Sequence, residues 1–164
     1  MNLKLLLLTV MFSAFPAHAD WKYDAETDEM SGKKAHYARV TSTNSLDLSF
    51  PYSGNNRGHL TVRQHPKHGL DVVVTVEKGQ IMCSSYGGCP IAIRFDDAAP
   101  VQFHGVPPED HKSTVAFLKN PQRFINAASK AKRIKVQFNM FQNGAPILTF
   151  DTTAPLQWSA PKKK

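Results

Sequence analysis

From Arg133 to Met140 polar and apolar side chains alternate strictly: Ile134, Val136, Phe138 and Met140 fall on one side of an extended chain, Lys135, Gln137 and Asn139 on the other. Alternation at period two is what a strand needs when one sheet face is buried and the other is wet. The pattern recurs along the chain and narrows the possible folds more than any other feature. It predicts strands over 35–41, 46–50, 59–64, 71–77, 80–83, 91–95, 101–103, 114–118, 133–141 and 146–152. Turn residues separate these runs at Pro51-Tyr52-Ser53-Gly54, Pro66 to Gly69, Ala98 to Pro100 and Pro107-Pro108. Gln142-Asn143-Gly144-Ala145 predicts a hairpin in which Asn143 and Gly144 take the positive φ of a type I′ turn.

One segment breaks the alternation. Asn120 as a cap, Pro121 in the first turn, and Phe124, Ala127, Ala128 and Ala131 at spacings of three and four predict a single short helix. Its basic end at Lys130, Lys132 and Arg133 suits the negative pole of the helix dipole. Many short strands need packed faces to hide their apolar sides, so the expected fold class is mainly β: an antiparallel β-sandwich or partly open barrel with one short helix. An α+β roll, with the helix across a single sheet, is the alternative.

The first 19 residues stand outside this pattern. Lys4, the apolar run from Leu5 to Phe15, and Ala17-His18-Ala19 have the order of an export signal cleaved after Ala19. The run is too short for a membrane anchor, which needs about 18 apolar residues. Residues 20–158 are then a single β-rich domain and 159–164 a basic disordered tail, in a soluble periplasmic protein. Without Lys4, 19 basic residues face 13 acidic ones, a net +6, and Lys162, Lys163 and Lys164 supply half of that charge. The body is therefore only mildly basic. Its 41% apolar and 20% charged content excludes a disordered, collagen-like or polytopic membrane chain.

An oxidising compartment favours pairing of Cys83 with Cys89, the only two cysteines. Gly87 and Gly88 permit the tight return of CSSYGGC. The spacing is not the C-x-x-C of a redox motif, and no second cysteine pair completes a zinc site. Tyr86 is a large amphipathic side chain on a loop restrained before contact, which lowers the ordering cost of association. Ser84, Ser85 and Tyr86 are thus the candidate binding residues; the plainer reading is that the disulfide only staples a hairpin.

Catalytic and cofactor signatures are missing: there is no G-x-S-x-G, S-x-x-K, H-E-x-x-H or glycine-rich phosphate loop. Asp96 and Asp97 are adjacent on a strand end and would point to opposite faces. His65 and His68 lack a third ligand, so neither metal nor cofactor is expected. The acidic run Asp24, Glu26, Asp28, Glu29 lacks the glycine and closing glutamate of a calcium loop; it reads as a solvated segment that pairs with the basic helix end. Lys130, Lys132, Arg133 and Lys135 form a basic patch without the interleaved aromatics of a nucleic-acid site. That patch supports at most weak, salt-sensitive contact with a membrane surface.

Trp21 to Met30, Asn44 to Phe50, PYSGNNRGHLTVRQHPKHGLDV, GQIMCSSYGGCPIAIRFD, the Phe124 helix and FDTTAPLQW together resemble a family of small exported proteobacterial proteins, over essentially the whole mature chain. More remotely, the exported β-rich layout with a short cysteine loop is similar to invasion-associated locus B proteins and type VI secretion accessory proteins. The resemblance brings no catalytic residue to any position. The expected function is a monomeric, non-enzymatic binding or accessory protein of the cell envelope, acting by contact with an envelope or exogenous protein. The alternatives are a lysozyme-inhibitor-like protein using the disulfide loop, an envelope hydrolase assembled from Asp96, His104 and Glu109, and a host-protection factor encoded on a mobile element.

Overall fold

The structure, a computed structural model, describes residues 19–159. The expected export signal, residues 1–19, lies outside the described residues except for Ala19, as does the lysine tail beyond Ser159. Nine strands, β1 (Lys22–Thr27), β2 (Lys34–Thr41), β3 (Gly58–His65), β4 (Gly69–Val76), β5 (Cys89–Phe95), β6 (Val101–Val106), β7 (Val115–Leu118), β8 (Arg133–Phe138) and β9 (Ile147–Asp151), form one antiparallel sheet. Among the described residues a single helix, α1 (Pro121–Ala128), lies between β7 and β8. The strand order is β1-β2-β3-β4-β7-β6-β5-β8-β9.

The alternating side chains explain how this sheet curves. Leu60 and Val62, Val72 and Val74, Ile91 and Ile93, Val136 and Phe138, and Leu148 and Phe150 are all buried, and all join one cluster. A continuous sheet can gather its inner side chains into one cluster only by curling until distant strands face each other. Gly58 on β3 lies so close to β9 that a Cβ there would overlap the Leu148 side chain. Helix α1 buries Phe124, Ile125 and Ala128. The Phe124 ring sits 5.7 Å from that of Phe95 and 6.4 Å from that of Phe103.

The sheet does not close as a ladder, and its last edge is satisfied by other means. Thr43 N–H donates to Thr149 O at 2.7 Å, and Ala19 N–H to Asp151 O at 2.6 Å. Next to Thr43, toward the start of β9, the Asn44 side chain acts as a surrogate peptide group: its Nδ2 donates to Ile147 O and its Oδ1 accepts from Thr149 N–H, both at 2.8 Å. Of the expected layouts, this is the partly open barrel.

Several local expectations are corrected. Residues 46–50 and 80–83 are not ladder strands; Leu46 and Leu48 are buried from a loop, and Ile81 makes one isolated bridge to Met140. Their alternation records burial of every second side chain, which a loop can also achieve. The acidic N-terminal run is strand β1, and Asp24 and Glu26 both pair with Arg39 on β2, not with the helix end. Asn120 precedes α1 in the left-handed region at φ 58° and makes no side-chain cap. Because α1 stops at Ala128, Lys130, Lys132 and Arg133 lie past its last turn. In the β8–β9 turn the left-handed residues are Gln142 and Gly144, not Asn143.

Candidate functional site

Since neighbouring strands run antiparallel, connections 42–57, 77–88, 107–114 and 139–146 emerge at one end of the barrel. The connections 28–33, 66–68, 96–100 and 119–132 emerge at the other. The first end carries the disulfide between Cys83 and Cys89. Ser84 and Gly88 exchange two backbone hydrogen bonds of 3.1 and 2.8 Å, leaving Ser85-Tyr86-Gly87 as the tip. Gly88 is required here: its φ is +64°, and a Cβ would overlap Gly105 O and the His104 ring. His104, on β6, is thus a seat for the loop. Ser85 Oγ lies 3.3 Å from His111 Nδ1, which ties the loop to the 107–114 connection.

Tyr86 projects from this base fully exposed. Beside the loop, Met82 N–H donates to Asn139 O at 2.9 Å and Phe141 N–H to Gln80 O at 3.0 Å. That pairing buries Ile81 and Met140 and leaves Met82 and Phe141 exposed. The 42–57 connection is drawn to the same place: Asn143 Oδ1 accepts from Ser49 N–H at 2.8 Å, and Gln80 Nε2 donates to the Tyr52 hydroxyl at 2.9 Å. Buried Asn56 clamps both backbone groups of Lys78, at 2.9 and 3.1 Å. Phe50, followed by a cis Phe50–Pro51 bond, is consequently held with its ring 86% exposed. Phe50, Met82, Tyr86 and Phe141, from three connections, thus share one end.

Three of these four residues are absent from the binding site expected from sequence. A signal for two of them exists in the alternation itself. Ile81 and Met140 are in phase with the core, so Met82 and Phe141 are apolar residues on the wet side. For Phe50 no such signal exists, because it is in phase with Leu46 and Leu48.

The other candidates fall elsewhere. Asp96, at φ 46°, accepts hydrogen bonds from Lys132 N–H and Arg133 N–H at 3.0 and 2.8 Å. It sits at the opposite end of β6 from Glu109, with a six-residue strand of roughly 20 Å between them. His104 lies on the outer face beneath the loop, so Asp96, His104 and Glu109 do not converge. Asp97 is exposed beside Arg94. Lys130 and Lys132 lie at the end opposite Tyr86, as does Arg133, which binds Asp151 at 2.6 Å. That hydrogen bond and the Asp151 charge hold the Arg133 guanidinium above its usual pKa. Lys135 faces Arg94 across the β5–β8 ladder. The basic patch is therefore interrupted by acids. His65, the last residue of β3, accepts the Lys67 and His68 amide hydrogens at its Nδ1.

Among the described residues, no group of three or more His, Cys, Asp or Glu is placed to hold a metal ion, and no helix is long and apolar enough to cross a membrane. The hollow beside Ser85, His111 and Lys112 measures about 150 Å³, well below the usual size of small-molecule sites, about 300–1,000 Å³. What the loop end can do chemically is present a preformed, amphipathic contact surface. No protein-family model, curated protein or solved structure matches this chain.

Proposed function

We propose that this chain is an exported, periplasmic binding or accessory protein of the cell envelope that docks a protein partner onto the end bearing Tyr86. The observation that carries the reading is the convergence of Phe50, Met82, Tyr86 and Phe141 around the disulfide loop. Aromatic and Met side chains are enriched at the centres of interfaces, where charge is depleted. The segments that carry these four residues have that composition: residues 48–56 and 139–146 carry no charge and 78–88 only Lys78, while the fourth connection at this end brings Glu109, Asp110 and Lys112. Cross-linking by the disulfide and clamping by Asn56 and Asn143 order the loops before contact, which reduces the entropy lost on binding. The leader-like N-terminus and the disulfide support the exported placement.

The test is affinity capture from an envelope extract with wild-type protein, a Phe50→Ala/Tyr86→Ala double variant, and Met30→Ala as a control at the opposite end. The expected result is a partner retained by wild type and Met30→Ala and lost by the double variant, with thermal midpoints unchanged. Retention by the double variant would sink the proposal. A panel of lysozymes supplies defined partners: inhibition by wild type, abolished in Tyr86→Ala, would make the partner a lysozyme.

A further inference from the structure

The two outer strands of the sheet end differently. On β9 the outward backbone groups of Ile147 and Thr149 meet Asn44 and Thr43, and Asp151 O meets Ala19, the last residue of the expected leader. On β1 the pattern of pairing shows which groups face outward. Asp28 N–H donates to Lys33 O at 2.9 Å, so 28 and 33 are a hydrogen-bonded pair. Such pairs alternate along an antiparallel ladder. Glu26, Asp24 and Lys22 therefore turn their backbone groups toward β2, and Tyr23, Ala25 and Thr27 turn theirs away. Among the described residues, no backbone group or side chain bonds those outward groups. All six β1 residues are exposed.

We propose that β1 is a self-association edge, pairing antiparallel with β1 of a second copy about a two-fold axis at Asp24. Hydrogen-bonding parity requires outward residues to face outward residues, which places Tyr23 opposite Ala25 of the second copy. On the other face of the strand Lys22 then meets Glu26 of the second copy, twice by symmetry. Sliding two residues one way sets Asp24 against Glu26 in both directions; sliding the other way moves the axis to Tyr23 and pairs Lys22 with Asp24, again twice by symmetry. Charges along an edge ordinarily deter pairing. Here Lys22 at one end of the strand and acids further along let it meet a reversed copy of itself with two Lys–acid pairs, which offsets that deterrent. Each Asp24 at the axis bonds Arg39 of its own chain, which also holds Glu26, so this guanidinium reduces the acidic charge of the edge. On the opposite face half-exposed Tyr23, whose hydroxyl accepts from Gln157 N–H of its own chain at 2.8 Å, would stand beside Ala25 of the second copy. This departs from the monomer expected from sequence, and it uses a surface remote from Tyr86.

Sedimentation of the mature chain over a wide concentration range tests the proposal. The expected result is a mass that rises from one chain to two in the wild type and stays at one in Ala25→Pro. That proline removes only the outward N–H and no bond to β2. Circular dichroism checks that the variant is folded. Lys22→Glu replaces both Lys–Glu pairs by Glu–Glu and should raise the dissociation constant about tenfold or more at low salt. A wild type that remains one chain at every concentration overturns the proposal, as does a folded Ala25→Pro that still dimerises. If Ala25→Pro fails to fold, dimerisation unaffected by Lys22→Glu overturns it.

Discussion

Asn44→Ala isolates the device that finishes the barrel. The side chain makes two hydrogen bonds to β9 backbone, each 2.8 Å. A bond of this kind contributes about 0.5–1.5 kcal/mol net, so the pair is worth about 1–3 kcal/mol. Ile147 is 44% exposed, and water can replace part of what is lost, which places the expected cost at about 1–2 kcal/mol. In urea unfolding the midpoint should fall by about 0.5–1 M at unchanged slope, because the same surface is exposed on unfolding. Amide exchange gives the position: the Thr149 N–H should lose protection, whereas Leu148, which faces Val136 on β8, should keep more of it. Asn44→Asp should be at least as costly, because it keeps the acceptor for Thr149 but turns a second acceptor toward Ile147 O. An unchanged midpoint together with wild-type exchange at Thr149 would refute the surrogate-peptide role.

Replacing Cys83 and Cys89 by Ser frees a seven-residue loop and should cost about 2.4 kcal/mol in denaturant unfolding on the loop-closure model, with weaker partner capture as Tyr86 loses its base. Gly88→Ala combines a left-handed φ with overlap against the Gly105 carbonyl, which cannot swing away; a loss above about 1–2 kcal/mol is expected by thermal unfolding. Tyr86→Ala should leave the unfolding midpoint within about 0.5 kcal/mol of wild type, since the ring touches solvent. Tyr37 has its phenol pushed above 10.0, chiefly by burial and then by Glu26. A raised folded value favours the neutral form, so its contribution to stability is intact below 10.0 and lost as pH climbs through the folded value. An ultraviolet titration should show late ionisation of one tyrosine, and Tyr37→Phe should flatten the alkaline loss of stability.

The core was legible because burial imposes period two on nearly every strand. Val72, Val74 and Val76, and Ile134, Val136 and Phe138, are inside as the alternation requires. Strand β1 escaped although Tyr23 and Ala25 alternate with Lys22, Asp24 and Glu26: all six residues are exposed, and the acids at 24, 26, 28 and 29 made the segment read as solvated chain. Residues 46–50 failed in the opposite sense, burying Leu46 and Leu48 from a loop. At the loop end the cysteine spacing pointed to Cys83, Cys89 and Tyr86, while Met82 and Phe141 were signalled only by being out of phase with the core.

By itself the order of residues determined that the chain is sheet-forming, that it has one buried face, that a single short helix interrupts it, and where a disulfide could close a tight loop. Each of these depends on neighbours a few positions apart. Tertiary structure decided how the sheet ends, because Asn44 meets its β9 partners from 103 and 105 residues away. It also decided that Phe50, Met82, Tyr86 and Phe141 share one end of the barrel. That outcome follows from which connections emerge at the same end of an antiparallel sheet, a property of strand order that no local pattern encodes.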